Sequence, residues 1–250
     1  MWLVLCHSGD VAALWLYNGL RQRGLKPLQL VSAEVLACSR LWEHRLAAGH
    51  TTVDITLHDG RAIHGDGLRG VVNRLVAVPM DLWRRASPAD RAYVLQELTA
   101  FYVSWLMALP CPVLNRPSPL GLAGAWRHQS HWVWLAARAG LRTPDYIQSS
   151  QNPIDRPGAL RRRSPPPKVK TVLVIGDRVV GGQPPGALLA GCLELARVSG
   201  SGILGVDFAD GPDGEWTFVG ATPLPDLRLG GEAALDALMI ALHRERRESL

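Results

Sequence analysis

The chain has 250 residues, 47% of them hydrophobic, which is the composition of an ordinary globular protein large enough to bury a core. Its net charge of +5 is small and concentrated at residues 161–163 and 243–247, so nucleic acid is not the expected main partner. No run approaches the roughly 18 apolar residues of a membrane helix, which predicts no membrane partner. The four cysteines form no CxxC pair, which argues against a zinc site and favours reduced thiols in a cytoplasmic protein.

The first elements predict a parallel sheet. Residues 2–6 form a continuous apolar run, typical of a strand buried on both faces, and a helix over 11–23 and a strand over 27–31 follow. A chain that opens β-α-β places its two strands in parallel. The connection His7-Ser8-Gly9-Asp10 is expected to cap the helix through Ser8 or Asp10. Nucleophilic chemistry by Ser8 would need a base and an orienting acid, which adjacent residues seldom supply.

The remaining predicted elements alternate between strands and helices. Strands are predicted at 51–57, 61–64, 71–75, 111–114, 169–175, 178–180 and in a hairpin of 203–207 with 216–219. Helices are predicted at 87–109, 128–139, 187–198 and 232–247. Residues 141–147 resemble the start of a further strand. Residues 148–167 are rich in Pro, Ser and Arg and predict a surface loop, because three consecutive prolines fit neither a helix nor a central strand.

The hairpin near the C-terminus has the frame of a nucleotide site. Its first strand ends in Asp207, the turn contains Asp213 and Gly214, and a loop rich in Pro and Gly precedes the last helix. One acid on each strand of a hairpin could hold a metal ion. The second strand offers Gly220, Ala221 and Thr222 instead, and a lone acid on a strand is more often a hydrogen-bonded structural carboxylate.

The order of several segments resembles the ATP-grasp ligases. These segments are VLVIGDRVVGG, GALLAGCLELARVSG and GILGVDFADGPDGEWTFVGATPLPDLRLGG, preceded by PVLNRPSPLGLAGAWRHQSHWVWLAARAGLRTPDYI. The resemblance covers residues 113–147 and 169–238. It implies an α/β fold, with a Rossmann-like (pre-ATP-grasp) βαβ domain at 1–112 before a truncated ATP-grasp lobe. Within that lobe it implies an opening segment at 113–147, a shortened lid or linker at 148–168 and a C-terminal subdomain at 169–250.

The resemblance implies a reaction and a metal set. Such ligases phosphorylate a carboxylate with ATP and Mg²⁺, and an amine or thiol attacks the acyl phosphate. The family pattern has an acid on the first strand of the hairpin, matched by Asp207, and a Glu and an Asn on the second strand, where this chain has Gly220 and Thr222. Glu215 and Asp226 lie before and beyond that second strand, and only a shifted register would bring one of them to the site.

The phosphate-binding set implied by the resemblance is incomplete. Thr171 stands where the family carries an Arg, and the neighbouring Lys170 would point to the opposite face of the strand. The remaining candidates for nucleotide binding are Lys168, Lys170 and Arg116. At the start of the helix over 128–139, where the family has a Lys, the chain offers Arg127, His128 and Gln129.

These departures predict an ATP-grasp-like pseudoenzyme that binds a protein or peptide partner and needs no cofactor. The aromatic segment WRHQSHWVW, with part of its helix in the core, is a candidate partner surface. The alternative is a minimal ligase that uses ATP and Mg²⁺ through Asp207, Lys168 or Lys170, and Arg116, with a partner chain closing the site. A third hypothesis is a module that binds single-stranded nucleic acid through the Arg triplet at 161–163 and the tryptophans.

Overall fold

The computed structural model describes residues 1–47, 50–147, 169–210 and 214–248, and of residues 50 and 244–248 only the backbone. The predicted loop and shortened lid at 148–168, with Lys168 and the Arg triplet, lie outside these residues, as does Asp213 of the predicted turn. The strands are β1 Trp2–Cys6, β2 Leu28–Ser32, β3 Leu41–Ala47, β4 His50–Thr56, β5 Ala62–His64, β6 Gly70–Asn73, β7 Val113–Leu114, β8 Val169–Ile175, β9 Arg178–Val180, β10 Ile203–Asp210 and β11 Trp216–Thr222. The helices are α1 Val11–Gln22, α2 Ala33–Ala37, α3 Pro88–Ala108, α4 Gln129–Arg138, α5 Gly186–Ser199 and α6 Gly231–Glu248.

The first sheet is parallel, as the β-α-β opening predicts. Its order is β2-β1-β6-β7, and each neighbouring pair runs in the same direction. All five residues of β1 are buried, which agrees with its continuous apolar sequence. The predicted domain boundary at residue 112 stays a prediction, and the structure places Val113–Leu114, just beyond it, as the fourth strand of this sheet.

The second sheet is antiparallel, in the order β3-β4-β5. The hairpin of β4 and β5 agrees with the alternating sequence of residues 51–57 and 61–64. Strand β3 was not predicted, because its sequence LWEHRLA does not alternate between apolar and polar residues. Packing against α3 explains it, since the Trp42 ring lies 4.9 Å from the rings of Phe101, Tyr102 and Trp105. Tertiary contacts therefore decide this strand.

The third sheet is antiparallel in the order β11-β10-β8-β9 and carries the predicted hairpin. One face packs on α4 and α5. The other face packs on α1, α6 and the first sheet, so the two sheets share a hydrophobic cluster. Two predictions need correction. Strand β10 continues to Asp210, so Asp207 lies within the strand, and residues 141–147 form no strand, although the Arg142 carbonyl accepts a hydrogen bond from the Phe218 N–H at 2.8 Å.

Two further predictions concern the cysteines and the membrane. The four cysteines are unpaired, and Cys6, Cys111 and Cys192 are buried, as predicted. Burial raises the pKa of Cys6 and Cys111 to about 11, so both thiols stay protonated and act as small apolar groups. Among the described residues, no helix is both long and apolar enough to cross a membrane.

Candidate binding cleft

The carboxyl ends of β1 and β6 lie side by side, because these strands are parallel neighbours. Beyond them the chain continues into residues 7–10 and into Arg74. Open parallel sheets bind ligands outside this edge. A cavity of about 550 Å³ lies there, lined by residues 7–10, Arg74, Val76, Ala77 and Leu224. A second cavity of about 330 Å³ shares Val76 and Leu224 with the first and extends to residues 121–127, Gln129, Trp132 and 221–223. We call the two cavities together the cleft.

A buried ion pair fixes one side of the cleft. The Arg74 Nε donates to the Asp10 carboxylate at 2.8 Å, and Arg74 Nη1 donates to the Pro225 carbonyl at 3.0 Å. The Arg74 and Asp10 side chains are only 7% and 17% exposed. Asp10 also accepts a hydrogen bond from the Ala13 N–H at 3.0 Å and so caps α1, one of the two caps that the sequence predicts. Arg74 therefore ties the edge of the first sheet to the loop after β11.

Two buried asparagines fix the other walls. The Asn73 amide donates to the carbonyls of Asn115 and Leu122 at 2.9 and 2.6 Å. The Asn115 amide donates to the carbonyls of Ile203 and Pro223 and accepts from the Ile203 N–H at 2.8 Å. These bonds hold residues 121–127 and 222–225 at fixed positions on opposite sides of the cleft. Sequence reasoning missed this role, although an Asn-Arg pair follows two of the predicted strands.

The wall at residues 126–132 combines aromatic surface with a cation. Trp126 is 68% exposed, whereas Trp132 is buried. The Arg127 guanidinium lies 5.2 Å from the centre of the Trp132 ring and donates to the carbonyls of Ala125 and Ser199. Its Nε is buried without a hydrogen-bond partner, and burial lowers the pKa of Arg127. Within the described ranges no carboxylate pairs with this cation, so the cleft has a half-buried positive charge.

Residues His7 and Ser8 do not form a nucleophile and base. The His7 Nε2 accepts hydrogen bonds from the N–H groups of Val76 and Ala77 at 2.9 and 3.2 Å. The Ser8 hydroxyl donates to the Glu34 carboxylate at 3.0 Å. Because the acceptor nitrogen of His7 is directed at the backbone, it cannot take a proton from Ser8. The arrangement instead fixes residues 7–10 on the rim of the cleft.

Glu34 makes this rim sensitive to acid. Burial by itself would raise the pKa of Glu34, but hydrogen bonds from its own N–H, from Ser32 and from Ser8 outweigh burial and lower the pKa from 4.5 to about 2. A pKa lowered by folding stabilises the protein above the pKa of the unfolded chain, and this contribution is lost as the pH falls through the folded value. We therefore expect the stability difference between the native chain and Glu34→Gln to shrink from pH 4.5 to pH 2. Urea midpoints across this range measure it, and a constant difference would contradict the assignment.

Asp207 lies in a row of three residues across the third sheet. It pairs with Thr171 of β8 on one side and with Gly220 of β11 on the other. Side chains opposite each other in neighbouring strands share a face of the sheet. The Thr171 hydroxyl donates to the Asp207 carboxylate at 2.6 Å, and Gly220 contributes no side chain. This row therefore has one carboxylate, whose nearest polar neighbour is a hydroxyl.

The residues around this row do not fit the Mg²⁺ ions that the fold implies. The Thr222 hydroxyl accepts a hydrogen bond from the Leu224 N–H, Glu215 is ion-paired with Arg142, and Asp226 is ion-paired with Arg228 at 2.7 Å. Neither acid near the second strand is therefore free to replace the missing ligand. Among the described residues, no three His, Cys, Asp or Glu side chains lie close enough together to hold a metal ion. Mg²⁺ prefers several oxygen ligands, and one hydrogen-bonded carboxylate is a poor site.

The predicted phosphate ligands are not brought together with Asp207. Lys170 points to the opposite face from Thr171, as predicted, where its Nζ pairs with Asp210 at 2.6 Å and lies 4.6 Å from the centre of the Trp216 ring. The Arg116 guanidinium donates to the carbonyls of Leu106, Met107 and Cys111 and so satisfies the end of α3. Nucleotide binding by Lys168, Lys170 and Arg116 stays a prediction.

Comparison with known proteins gives similarity in structure only. No protein-family model matches the sequence, and no curated protein matches it either. The macrocyclase MdnC from Microcystis aeruginosa, solved with its precursor peptide MdnA, is 15% identical and superposes with a TM-score of 0.71 over 96% of this chain and 97% of its own. A RiPP-associated ATP-grasp ligase from Chryseobacterium gregarium, solved with ADP and a leader and core peptide, is 11% identical with a TM-score of 0.72 over 98% of each chain. The ATP-grasp ligase PsnB, solved with a variant of its minimal precursor, Mg and ADP, is 15% identical with a TM-score of 0.70 over 96% of this chain and 98% of its own.

Proposed function

Because this chain has the ATP-grasp fold, we propose that it is a pseudoenzyme that binds a peptide or protein partner in the cleft without carrying out ligase chemistry. The observation that carries the proposal is the row of Thr171, Asp207 and Gly220. In a ligase of this fold, the corresponding face must hold the metal ions that neutralise the phosphates of ATP. Here a single carboxylate is available, and a hydroxyl already donates to it.

The similar proteins and the cleft both support a peptide partner. MdnC and the Chryseobacterium ligase were solved with peptides bound. The cleft of this chain has an apolar lining that includes the exposed Trp126 ring, which is the kind of surface on which a peptide side chain packs. The half-buried Arg127 favours a partner segment that carries a carboxylate, because such a segment would supply the missing opposite charge.

We also propose how the fold is divided. Residues 1–112 correspond to the Rossmann-like domain that precedes an ATP-grasp lobe, and residues 113–147 and 169–250 to parts of the lobe itself. Residues 148–168 then stand where an ATP-grasp ligase has its lid lobe. A segment of this length is too short for such a lobe, so the proposal includes a truncated nucleotide pocket.

Selection from a random dodecapeptide library, displayed on phage, tests the proposed function directly. In the absence of nucleotide the native chain should select peptides, and fluorescence anisotropy should give the same Kd for each with and without Mg²⁺ and ATP. Val76→Arg should weaken this binding about tenfold or more, because it places a bulky charge in the cleft. No selected peptide, or binding that requires Mg²⁺ and ATP, would contradict the proposal.

A matched variant separates the cleft from the rest of the surface. Leu82 is 59% exposed, much like Val76 at 64%, and lines neither cavity of the cleft. Leu82→Arg therefore adds the same charge at an equally exposed apolar position outside the cleft. It should leave peptide binding unchanged, and an equal loss in both variants would indicate a general effect of added charge.

The alternative of a minimal ligase is favoured by the complexes of similar proteins with ADP and Mg. It would require an acid from a partner chain beside Asp207. The nucleic-acid hypothesis has no support from the cleft, and its Arg triplet lies outside the described residues.

A further inference from the structure

Strand β3 is an edge strand with an exposed surface. It is seven residues long, and among the described residues only β4 pairs with it. Leu41 and Leu46 are 50% and 63% exposed. A long, apolar edge strand presents unpaired N–H and C=O groups to solvent, and natural proteins usually cover such an edge or block it with charge. This edge is not blocked by proline, and its two charged residues have opposite signs.

The sequence of β3 is complementary to itself in an antiparallel register. When two copies of LWEHRLA pair with His44 opposite His44, Glu43 of each copy lies opposite Arg45 of the other. Opposite charges in directly opposed positions stabilise an antiparallel pair, and like charges destabilise it. The same register places Trp42 opposite Leu46. Each exposed Leu46 would therefore be covered by an aromatic ring.

Within one copy, the charges already lie on the solvent face of the sheet. The Arg45 Nε donates to the Glu43 carboxylate at 2.6 Å, two positions apart on the same face. Trp42 and His44 point to the other face, where Trp42 contacts Phe101 and His44 contacts Ser104 of α3. Pairing of two copies thus joins two sheets edge to edge, with both α3 helices on the same face.

The exposed part of α3 offers further apolar surface on that face. Tyr93 is 65% exposed and Leu95 is 43% exposed, although both lie within a helix of 21 residues. The helix packs on the core mainly through its second half, where Tyr102, Trp105 and Leu106 are buried. A second copy docked along β3 would bring a second α3 to this face and could cover part of the exposed first half.

We propose that the chain forms a twofold-symmetric dimer through antiparallel pairing of β3 with β3 of a second copy, in the register that opposes Glu43 and Arg45. The proposal does not rest on the proposed function, since β3 contributes no residue to the cleft. Its partner is committed by the charge pattern: a second copy supplies both complementary charges at once, whereas an arbitrary extended peptide does not.

Charge variants of the full chain test the register. Glu43→Arg gives a chain with two arginines on this face, and Arg45→Glu gives a chain with two glutamates. Each variant alone should dimerise about tenfold or more weakly than the native chain in sedimentation equilibrium, because both symmetric pairs become like-charged. The double variant E43R/R45E restores opposite charges and should dimerise like the native chain.

An equimolar mixture of the two single variants gives the sharpest result. Glu43→Arg and Arg45→Glu are complementary in this register, so native mass spectrometry should show mainly the heterodimer. A merely structural role of these residues would not produce this preference. A monomer at every concentration would overturn the proposal, and so would a dimer that ignores these charges. An edge that takes an extended peptide instead would give the first of these outcomes.

Discussion

Replacing Arg74 with methionine is expected to lower the free energy of unfolding by about 3–5 kcal/mol, measured by urea unfolding near neutral pH. Methionine keeps much of the apolar volume but removes the donors to Asp10 and to the Pro225 carbonyl. Asp10 is then left as a mostly buried charge without its cation, and this desolvated charge accounts for most of the cost. The double variant with Asp10→Asn should recover part of the loss, because it removes the uncompensated charge.

An exposed ion pair of similar geometry provides the control. The Arg23 Nε lies 2.8 Å from Asp236, the same distance as Arg74 Nε from Asp10. Asp236 and Glu232, the two acids that pair with Arg23, are 64% and 81% exposed, so water screens them. Arg23→Met should cost about 1 kcal/mol or less. Equal losses in Arg23→Met and Arg74→Met would show that burial does not give Arg74 its importance.

The alternating and continuous apolar patterns of the sequence predict much of the fold. The β-α-β opening, the β4 and β5 hairpin, α3 and the β10 and β11 hairpin are observed close to their predicted positions. These elements bury a continuous or alternating set of side chains, which a local pattern records. The predicted resemblance to ATP-grasp ligases is confirmed at the level of the fold. The missed strand β3 depends on contacts with α3, which no local pattern contains.

The candidate site was predictable only where strand register determines it. Asp207 and Gly220 lie in neighbouring strands of one hairpin, so their juxtaposition follows from the sequence of the hairpin. The cleft does not follow in this way. Its walls are set by Asn115, which bonds to a carbonyl 108 residues later, and by Arg74, which bonds to one 151 residues later. Only the packed sheets bring such groups together.

Restoring the missing ligands should create a metal site that the native chain lacks. Gly220→Glu adds a carboxylate beside Asp207, and Thr222→Asn adds an amide oxygen on the same strand. The position can accept a side chain, since a Cβ at Gly220 would have Gln129 Oε1 as its nearest neighbour, at 3.8 Å. We expect the double variant to gain thermal stability on addition of Mg²⁺ with ATP, because a ligand stabilises the state that binds it. Saturation at a hundredfold excess over Kd corresponds to about 2.7 kcal/mol, or roughly 5–10 °C in a chain of this size.

The same gain must depend on Asp207 if it arises at the proposed row. Adding Asp207→Asn to the restored variant removes the carboxylate that the new ligands complement. The stabilisation by Mg²⁺ and ATP should then disappear. A gain that persists without Asp207 would place the metal elsewhere.

Calorimetric titration of the native chain with ATP in the presence of Mg²⁺ tests the central claim most directly, because the claim is that a lone carboxylate bonded to Thr171 cannot hold the metal. We predict no Mg²⁺-dependent heat of binding up to millimolar ATP, while Gly220→Glu/Thr222→Asn, measured alongside, shows such a heat. Saturable, Mg²⁺-dependent binding of ATP by the native chain that is lost in Asp207→Asn would contradict the claim and favour the minimal ligase.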